Sequence, residues 1–81
     1  MNNKIANICI VVKDFSQIAT INDILHQYSD NILSRSGMPY KEKNVRFINI
    51  MIETSPESIS DINEKLGSLK GVKSQIMSFE I

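Results

Sequence analysis

The spacing of hydrophobic residues in the first third of the chain predicts a strand followed by a helix. Ile5 to Val12 is a short apolar run, interrupted only by Asn7 and rich in β-branched residues, as is typical of a buried strand. From Ile18 to Tyr28 the apolar residues recur every three or four positions, which predicts a helix with one buried face. We expect Asp14 to cap this helix, with Gln17 reaching back to the cap, and the turn-forming residues 29–31 to end it.

The rest of the chain predicts two strands, a helix and a last strand. Residues 32–37 are a weak strand candidate, whereas alternating isoleucines make residues 45–53 a strong one. Ser55 is a suitable N-cap before Pro56 and opens a helix over 54–69, whose predicted buried stripe is Ile59, Ile62, Leu66 and Leu69. Gly71 can adopt the left-handed conformation that closes the helix, and residues 72–81 read as the last strand.

This order of elements predicts an α+β fold. Strand, helix, strand, strand, helix and strand give the ferredoxin-like βαββαβ sandwich, a four-stranded antiparallel sheet with two helices on one face. The 81 residues contain no linker or repeat, so we expect a single domain over 1–81.

The sheet face that the helices do not cover is predicted to carry apolar side chains. Alternation along the strands places six candidate interface residues there: Cys9, Val11, Phe47, Met51, Met77 and Phe79. An apolar patch of this kind usually marks an interaction site, and a chain this short gains stability by self-association. We therefore expect a homodimer or homotetramer; the alternative is a surface with scattered apolar residues and no partner.

The middle of the chain, "SRSGMPYKEKNVR", carries the candidate ligand site. Gly37 can supply a positive φ and Pro39 fixes its own φ, so Gly-Met-Pro is predicted to form a rigid turn between two strands. Residues 35–46 contain four basic residues and one acidic residue, whereas residues 53–64 contain four acidic residues and no basic one. This asymmetry could steer an anionic ligand or align subunits head to tail, and the candidate ligand-binding residues at the turn are Arg35, Gly37, Met38, Pro39 and Tyr40. Ordinary solvated charge is the alternative.

Composition removes several classes of function. The nine basic and nine acidic residues cancel, so nothing in the overall charge favours nucleic acid or a membrane surface. The apolar N-terminal run is too short to span a bilayer, which predicts a soluble, cytoplasmic protein. One cysteine and one histidine cannot build a protein-only metal site, and we expect no cofactor and no catalytic residue.

Two further alternatives depend on single residues. The RNA-recognition fold shares the predicted topology, and Phe47 beside Arg46 stands where a base would stack, but Asn7 occupies the place of a second ring. A ferredoxin-like oxygenase would have to use His26 and Tyr40, because no other candidate groups are present.

The segments "HQYSDNILSRSGMPYKEKNV" and "INEKLGSLKGVKSQ" resemble a known family. The chain is similar, over about Ile5 to Met77, to small proteins described as regulators of the iron-only hydrogenase system. The most specific parts are residues 30–33, Arg35 with Gly37 and Pro39, and residues 66–72. Such proteins look like the ACT domain and the C-terminal domain of the nickel-responsive regulator, so the resemblance implies an oligomeric regulatory role.

The resemblance and the residues together predict a stand-alone regulatory domain with an ACT-like fold. We expect a homo-oligomer that senses a small effector, and any effect on transcription would be exerted through a protein partner. The alternative is an oligomeric assembly or scaffold protein with no small-molecule ligand.

Overall fold

The computed structural model of the protein describes residues 3–80. Its helices and strands are β1 (Lys4–Val12), α1 (Ile18–His26), β2 (Ile32–Tyr40), β3 (Val45–Thr54), α2 (Pro56–Gly67) and β4 (Val72–Phe79). The strands form one sheet in the order β2-β3-β1-β4, and every neighbouring pair is antiparallel. The predicted α+β fold, a four-stranded antiparallel sheet with two helices, is confirmed. Residue 81, predicted to end the last strand, lies outside the described residues.

The hydrophobic core lies between the helices and one face of the sheet. Alternate residues of β1 and β3 point into it, and Ile8, Ile10 and Ile50 are completely buried. The predicted helical stripes supply the other wall, with Ile21 and Leu25 from α1. The core cluster as a whole consists of Ala6, Ile8, Ile10, Val12, Ile21, Leu25, Ile48, Ile50, Ile52, Ile59, Ile62, Leu66 and Val72. Among residues 3–80, neither helix has the length and apolar character needed to cross a membrane.

The two helices begin differently. The Ser55 hydroxyl accepts a hydrogen bond from the Ser58 amide at 3.1 Å, and Pro56 opens α2, as predicted. Asp14 also acts as a cap, but of a short 3-10 turn over Phe15–Gln17 that precedes α1. The expectation that Gln17 closes a capping box is wrong, because Gln17 lies at the N-cap of α1 and makes no side-chain cap hydrogen bond.

Gly71 lies between α2 and β4 and contacts the segment that follows β1. It has the predicted left-handed conformation, with φ of 73°. Its carbonyl oxygen accepts a hydrogen bond from the Lys13 amide at 2.7 Å. A Cβ at this position would lie 2.7 Å from the Asp14 Cβ, so the close approach of the two segments requires glycine.

The predicted turn at Gly37, Met38 and Pro39 is wrong. β2 continues through all three residues to Tyr40, and Gly37 is not among the described residues with positive φ. The chain reverses at a 3-10 turn over Lys41–Lys43, and Asn44 takes the left-handed conformation with φ of 54°. Proline is tolerated in β2 because this strand lies at an edge of the sheet, where one side of the backbone needs no partner strand.

The two edge strands differ. β2 carries Pro39 and an irregularity in its pairing with β3 between Ile32 and Ser34. Both features are used by natural proteins to blunt an exposed edge. β4 contains no proline and pairs with β1 in unbroken register from Val72 to Phe79.

Candidate functional site

The predicted ligand-binding residues of β2 divide between the two faces of the sheet. Strand pairing sets Arg35 opposite Ile50 and Gly37 opposite Ile48, so these two residues and Pro39 lie on the side of the helices. Met38 and Tyr40 point to the other side, where the Tyr40 and Phe47 ring centres are 6.3 Å apart. Four of the five candidates, Arg35, Gly37, Met38 and Pro39, nevertheless line one groove, and Tyr40 does not.

A groove of about 250 Å³ lies between α1 and the edge strand β2. Its walls and floor include Ile18 and Asn22 of α1, Arg35 and Gly37 of β2, and Arg46 and Ile48 of β3. Because Gly37 has no side chain, this part of the floor is backbone. A Cβ at Gly37 would lie 3.0 Å from the carbonyl oxygen of Phe47, so β2 approaches β3 closely here.

One hydrogen bond crosses this depression. The Arg35 guanidinium donates to Asn22 Oδ1 at 2.6 Å and so links β2 to α1. On the other side of the bond lies a second depression of about 340 Å³, which shares both residues and is lined further by Leu25, His26 and Ile32. Arg35, which the sequence predicts as a ligand contact, therefore lies between two adjoining depressions.

The groove is electropositive. Arg35 and Arg46 are both exposed and line it, and the ion pair found among residues 3–80 joins Lys4 to Glu80 at 3.3 Å instead. No carboxylate in the described part of the chain therefore neutralises either arginine within ion-pair distance. Arg46 was not predicted as a site residue. Its position two residues before Ile48 in β3 places both side chains on the same face of the sheet, and this spacing could have indicated it.

We call the sheet surface opposite the helices the open face. Its centre is a row of four residues in neighbouring strands, which we call the polar row: Ser36, Asn49, Cys9 and Gln75. Two apolar patches flank this row. The Phe47 patch consists of Val11, Met38, Tyr40 and Phe47 and borders Lys73, and the Met77 patch consists of Ile5, Met51, Met77 and Phe79 around Asn7.

All six predicted interface residues lie on the open face. Cys9 is in the polar row, and the other five belong to the two patches. Met77 and Phe79 are 62% and 40% exposed and Met38 is 54% exposed, so both patches present accessible apolar surface. Between β1 and β3, the Asn7 amide donates to the Ile50 carbonyl oxygen at 3.5 Å and to Met51 Sδ at 3.4 Å.

The described residues offer little support for metal binding or catalysis. Residues 3–80 contain no group of three or more His, Cys, Asp or Glu side chains that could hold a metal ion. Cys9 is a half-buried free thiol, and His26 lies across the sheet from it, in the depression beside α1. Within the described part of the chain, neither residue forms a hydrogen bond or ion pair with a partner that would make it a nucleophile or a general base.

The fold and its open face define the class of protein: a ferredoxin-like, ACT-like α+β module. Residues 4–76 match the TM1266-like family, described as "Iron-only hydrogenase system regulator, putative". The chain belongs to this family, which confirms the resemblance noted in the sequence. No curated protein sequence matches the chain significantly.

Solved structures agree with this assignment. The chain is similar to the uncharacterized protein TM1266 from Thermotoga maritima, with a TM-score of 0.91, 28% identity, and coverage of 98% of this chain and 100% of that one. The C-terminal domain of the MgtC protein from Mycobacterium tuberculosis has a TM-score of 0.73 at 8% identity, over 95% of this chain and 88% of that one. At this identity the second likeness shows the fold alone.

Proposed function

We propose that this protein is a regulatory module of the iron-only hydrogenase system that works as a homo-oligomer. The copies join through the open face, and a small effector binds beside β2. The role is one of binding rather than catalysis. Family membership supports the regulatory part of this proposal. The observation that carries the oligomeric part is the open face, which has one apolar patch on each side of the polar row.

The open face has a pattern that suits contact with a second copy of itself. Two copies can be related by a two-fold axis that passes through the centre of the polar row, either along the strands or across them. In both arrangements the polar row of one copy packs on the polar row of the other, and each apolar patch packs on an apolar patch. An isologous dimer requires this kind of self-complementary surface. Two sheets can pack in this way about 10 Å apart, with their inward side chains interdigitated.

Burial of the exposed apolar side chains would stabilise such a dimer. Complete burial of a side chain such as Phe contributes about 1.5–3 kcal/mol. Phe79 is 40% exposed, so its remaining surface is worth about 1 kcal/mol per copy. A symmetric dimer buries it twice, and a difference of about 2 kcal/mol corresponds to about a 30-fold change in the dissociation constant.

Sedimentation velocity over a wide range of protein concentration tests this proposal with two matched variants. Phe79→Ser removes an apolar ring from the open face, and we expect it to weaken self-association about 30-fold. Phe15→Ser is the control, because Phe15 is 48% exposed but lies outside the sheet, in the 3-10 turn before α1. A wild-type protein that stays monomeric at all concentrations, or equal weakening by both substitutions, would contradict the proposal.

The alternative proposal, an assembly or scaffold protein, uses the same open face for a different protein. It differs in requiring nothing of the groove beside β2. A stable one-to-one complex with another protein through the open face, together with no response to small molecules, would favour this alternative.

A further inference from the structure

We propose that the groove between α1 and β2 binds a small, elongated organic dianion, a short-chain dicarboxylate in its simplest form. One anionic group would lie at Arg35 and the other at Arg46. This inference rests on the proposed function, because it names the chemical class of the effector.

The strand register fixes the distance between the two arginines. Arg35 lies opposite Ile50, whereas Arg46 lies opposite Pro39, so the two residues are four positions apart along the paired strands. At a rise of about 3.3 Å per residue, their Cα atoms are separated by about 13 Å along the strand direction. Both belong to the helix side of the sheet and line the same groove.

Gly37 leaves the space between the arginines free. It lies two residues after Arg35 and opposite Ile48, which is two residues after Arg46, so it is halfway between the two cationic groups. Any other residue at this position would place a side chain over the floor of the groove. The two long arginine side chains can therefore reach a ligand that lies across Gly37.

The chemistry of the walls fits carboxylates joined by methylene groups. A guanidinium group offers five N–H donors in a planar fork that matches a carboxylate. Arg35 already donates to Asn22 Oδ1, which fixes its side chain and leaves other N–H groups available. Ile48, which lies at the midpoint between the arginines, lines the groove together with Ile18 and Pro39, and these residues provide apolar contacts for the methylene groups of the ligand.

The size of the groove restricts the ligand further. Sites for drug-sized ligands have volumes of about 300–1,000 Å³. The groove, at about 250 Å³, is below this range. A short dicarboxylate fits such a volume, whereas a ligand as large as a nucleotide would extend out of the groove.

Isothermal titration calorimetry tests the inference with a homologous series of probes: malonate, succinate, glutarate and adipate, with butyrate as the monoanion. We expect an affinity optimum within the dicarboxylate series and weaker binding of butyrate. Arg46→Gln should weaken the best dicarboxylate about 10–100-fold, because a hydrogen-bonded charge pair is lost. Arg35→Gln should have a similar effect.

Lys41→Gln is the matched control. Lys41 is exposed, lies in the turn after β2, and carries the same charge as Arg46 without lining the groove. We expect affinity to change less than about two-fold in this variant, as for a screened surface charge. Arg46 is also exposed and has no ion-pair partner among residues 3–80, so its replacement should leave folding intact.

Three results would overturn the inference. The first is the absence of heat and of amide chemical-shift changes with every probe at millimolar concentration. The second is equal weakening by Lys41→Gln and Arg46→Gln, which would show non-specific attraction. The third is equal binding of butyrate and the best dicarboxylate. Self-association, measured on the same samples by sedimentation velocity, separates a failure of the ligand class from a failure of the proposed homo-oligomer.

Discussion

The same glycine-to-alanine substitution should have opposite effects at two positions that are four residues apart. Gly71 has a φ of 73°, and a Cβ there would meet the Asp14 Cβ at 2.7 Å and the Asp14 amide nitrogen at 3.1 Å. Gly67 ends α2, and a Cβ at Gly67 has no atom within 4 Å beyond its immediate surroundings in the helix. We therefore expect Gly71→Ala to lower the free energy of unfolding and Gly67→Ala to raise it.

The magnitudes follow from the backbone conformation and the contacts. A left-handed alanine costs about 1–2 kcal/mol, and moving Asp14 away also stretches the hydrogen bond from Lys13 to Gly71, worth about 1 kcal/mol. Alanine also lowers the conformational entropy of the unfolded chain, which offsets the loss of stability by about 0.4–1 kcal/mol. The net loss for Gly71→Ala is about 2 kcal/mol. Gly67→Ala should gain about 0.5 kcal/mol, because alanine is the better helix former.

Thermal unfolding followed by circular dichroism at 222 nm measures both changes. For a domain of this length, 1 kcal/mol shifts Tm by about 4–8 °C. We expect Gly71→Ala to lower Tm by about 8–16 °C and Gly67→Ala to raise it by about 2–4 °C. If both substitutions moved Tm in the same direction, or if Gly71→Ala were neutral, the described approach of Gly71 to Asp14 would be refuted.

Three other outcomes are expected. Ser55→Ala removes the cap that accepts from the Ser58 amide and should cost about 1 kcal/mol, measured by urea unfolding; an unchanged midpoint would contradict the cap. Hydrogen bonds from the Ser16 side chain and backbone amide lower the pKa of Asp14 below its ordinary value of 3.8. The folded pKa is thus below the unfolded one, so the stabilisation is present above about pH 4 and is lost as the pH falls through the folded pKa. The Tm difference between wild type and Asp14→Ala should therefore shrink in acid, and a constant difference would argue against it. Finally, Cys9 lies in the polar row, so its labelling by a maleimide should slow as protein concentration rises; a constant rate would show that the open face stays uncovered.

The sequence was sufficient to predict the order of elements and the two faces of the sheet. The isoleucines of β3 recur at every second position, and β1 is apolar apart from Lys4 and Asn7; since side chains of a strand alternate between faces, every side chain is assigned to a face once one residue is placed. The capping residue Ser55 was equally clear, because serine before proline is a strong local signal. These features depend on neighbouring residues alone.

The misread segment was Gly37 to Pro39, where local signals conflict with tertiary structure. Glycine and proline usually mark a turn, but an edge strand tolerates both, and edge position is a property of the whole sheet. The real turn has its own signal in Asn44, since asparagine is one of the few residues other than glycine that enter the left-handed region easily. The groove could not be predicted for the same reason. Asn22 and Arg35 meet only because α1 lies beside β2, and Arg46 joins them through the strand register.

The difference between the two edges of the sheet limits how many chains an edge-to-edge assembly could contain. A protein with two open edges can add chains at both ends and polymerise into a fibre. Here Pro39 and the irregularity near Leu33 interrupt β2, whereas β4 offers an unbroken backbone. Assembly through β4 would therefore stop once two β4 strands have paired. The result would be one continuous sheet of eight strands with β2 at both outer edges. Pro39, which misled the sequence reading of β2, would thus also help to limit edge-to-edge growth of the sheet.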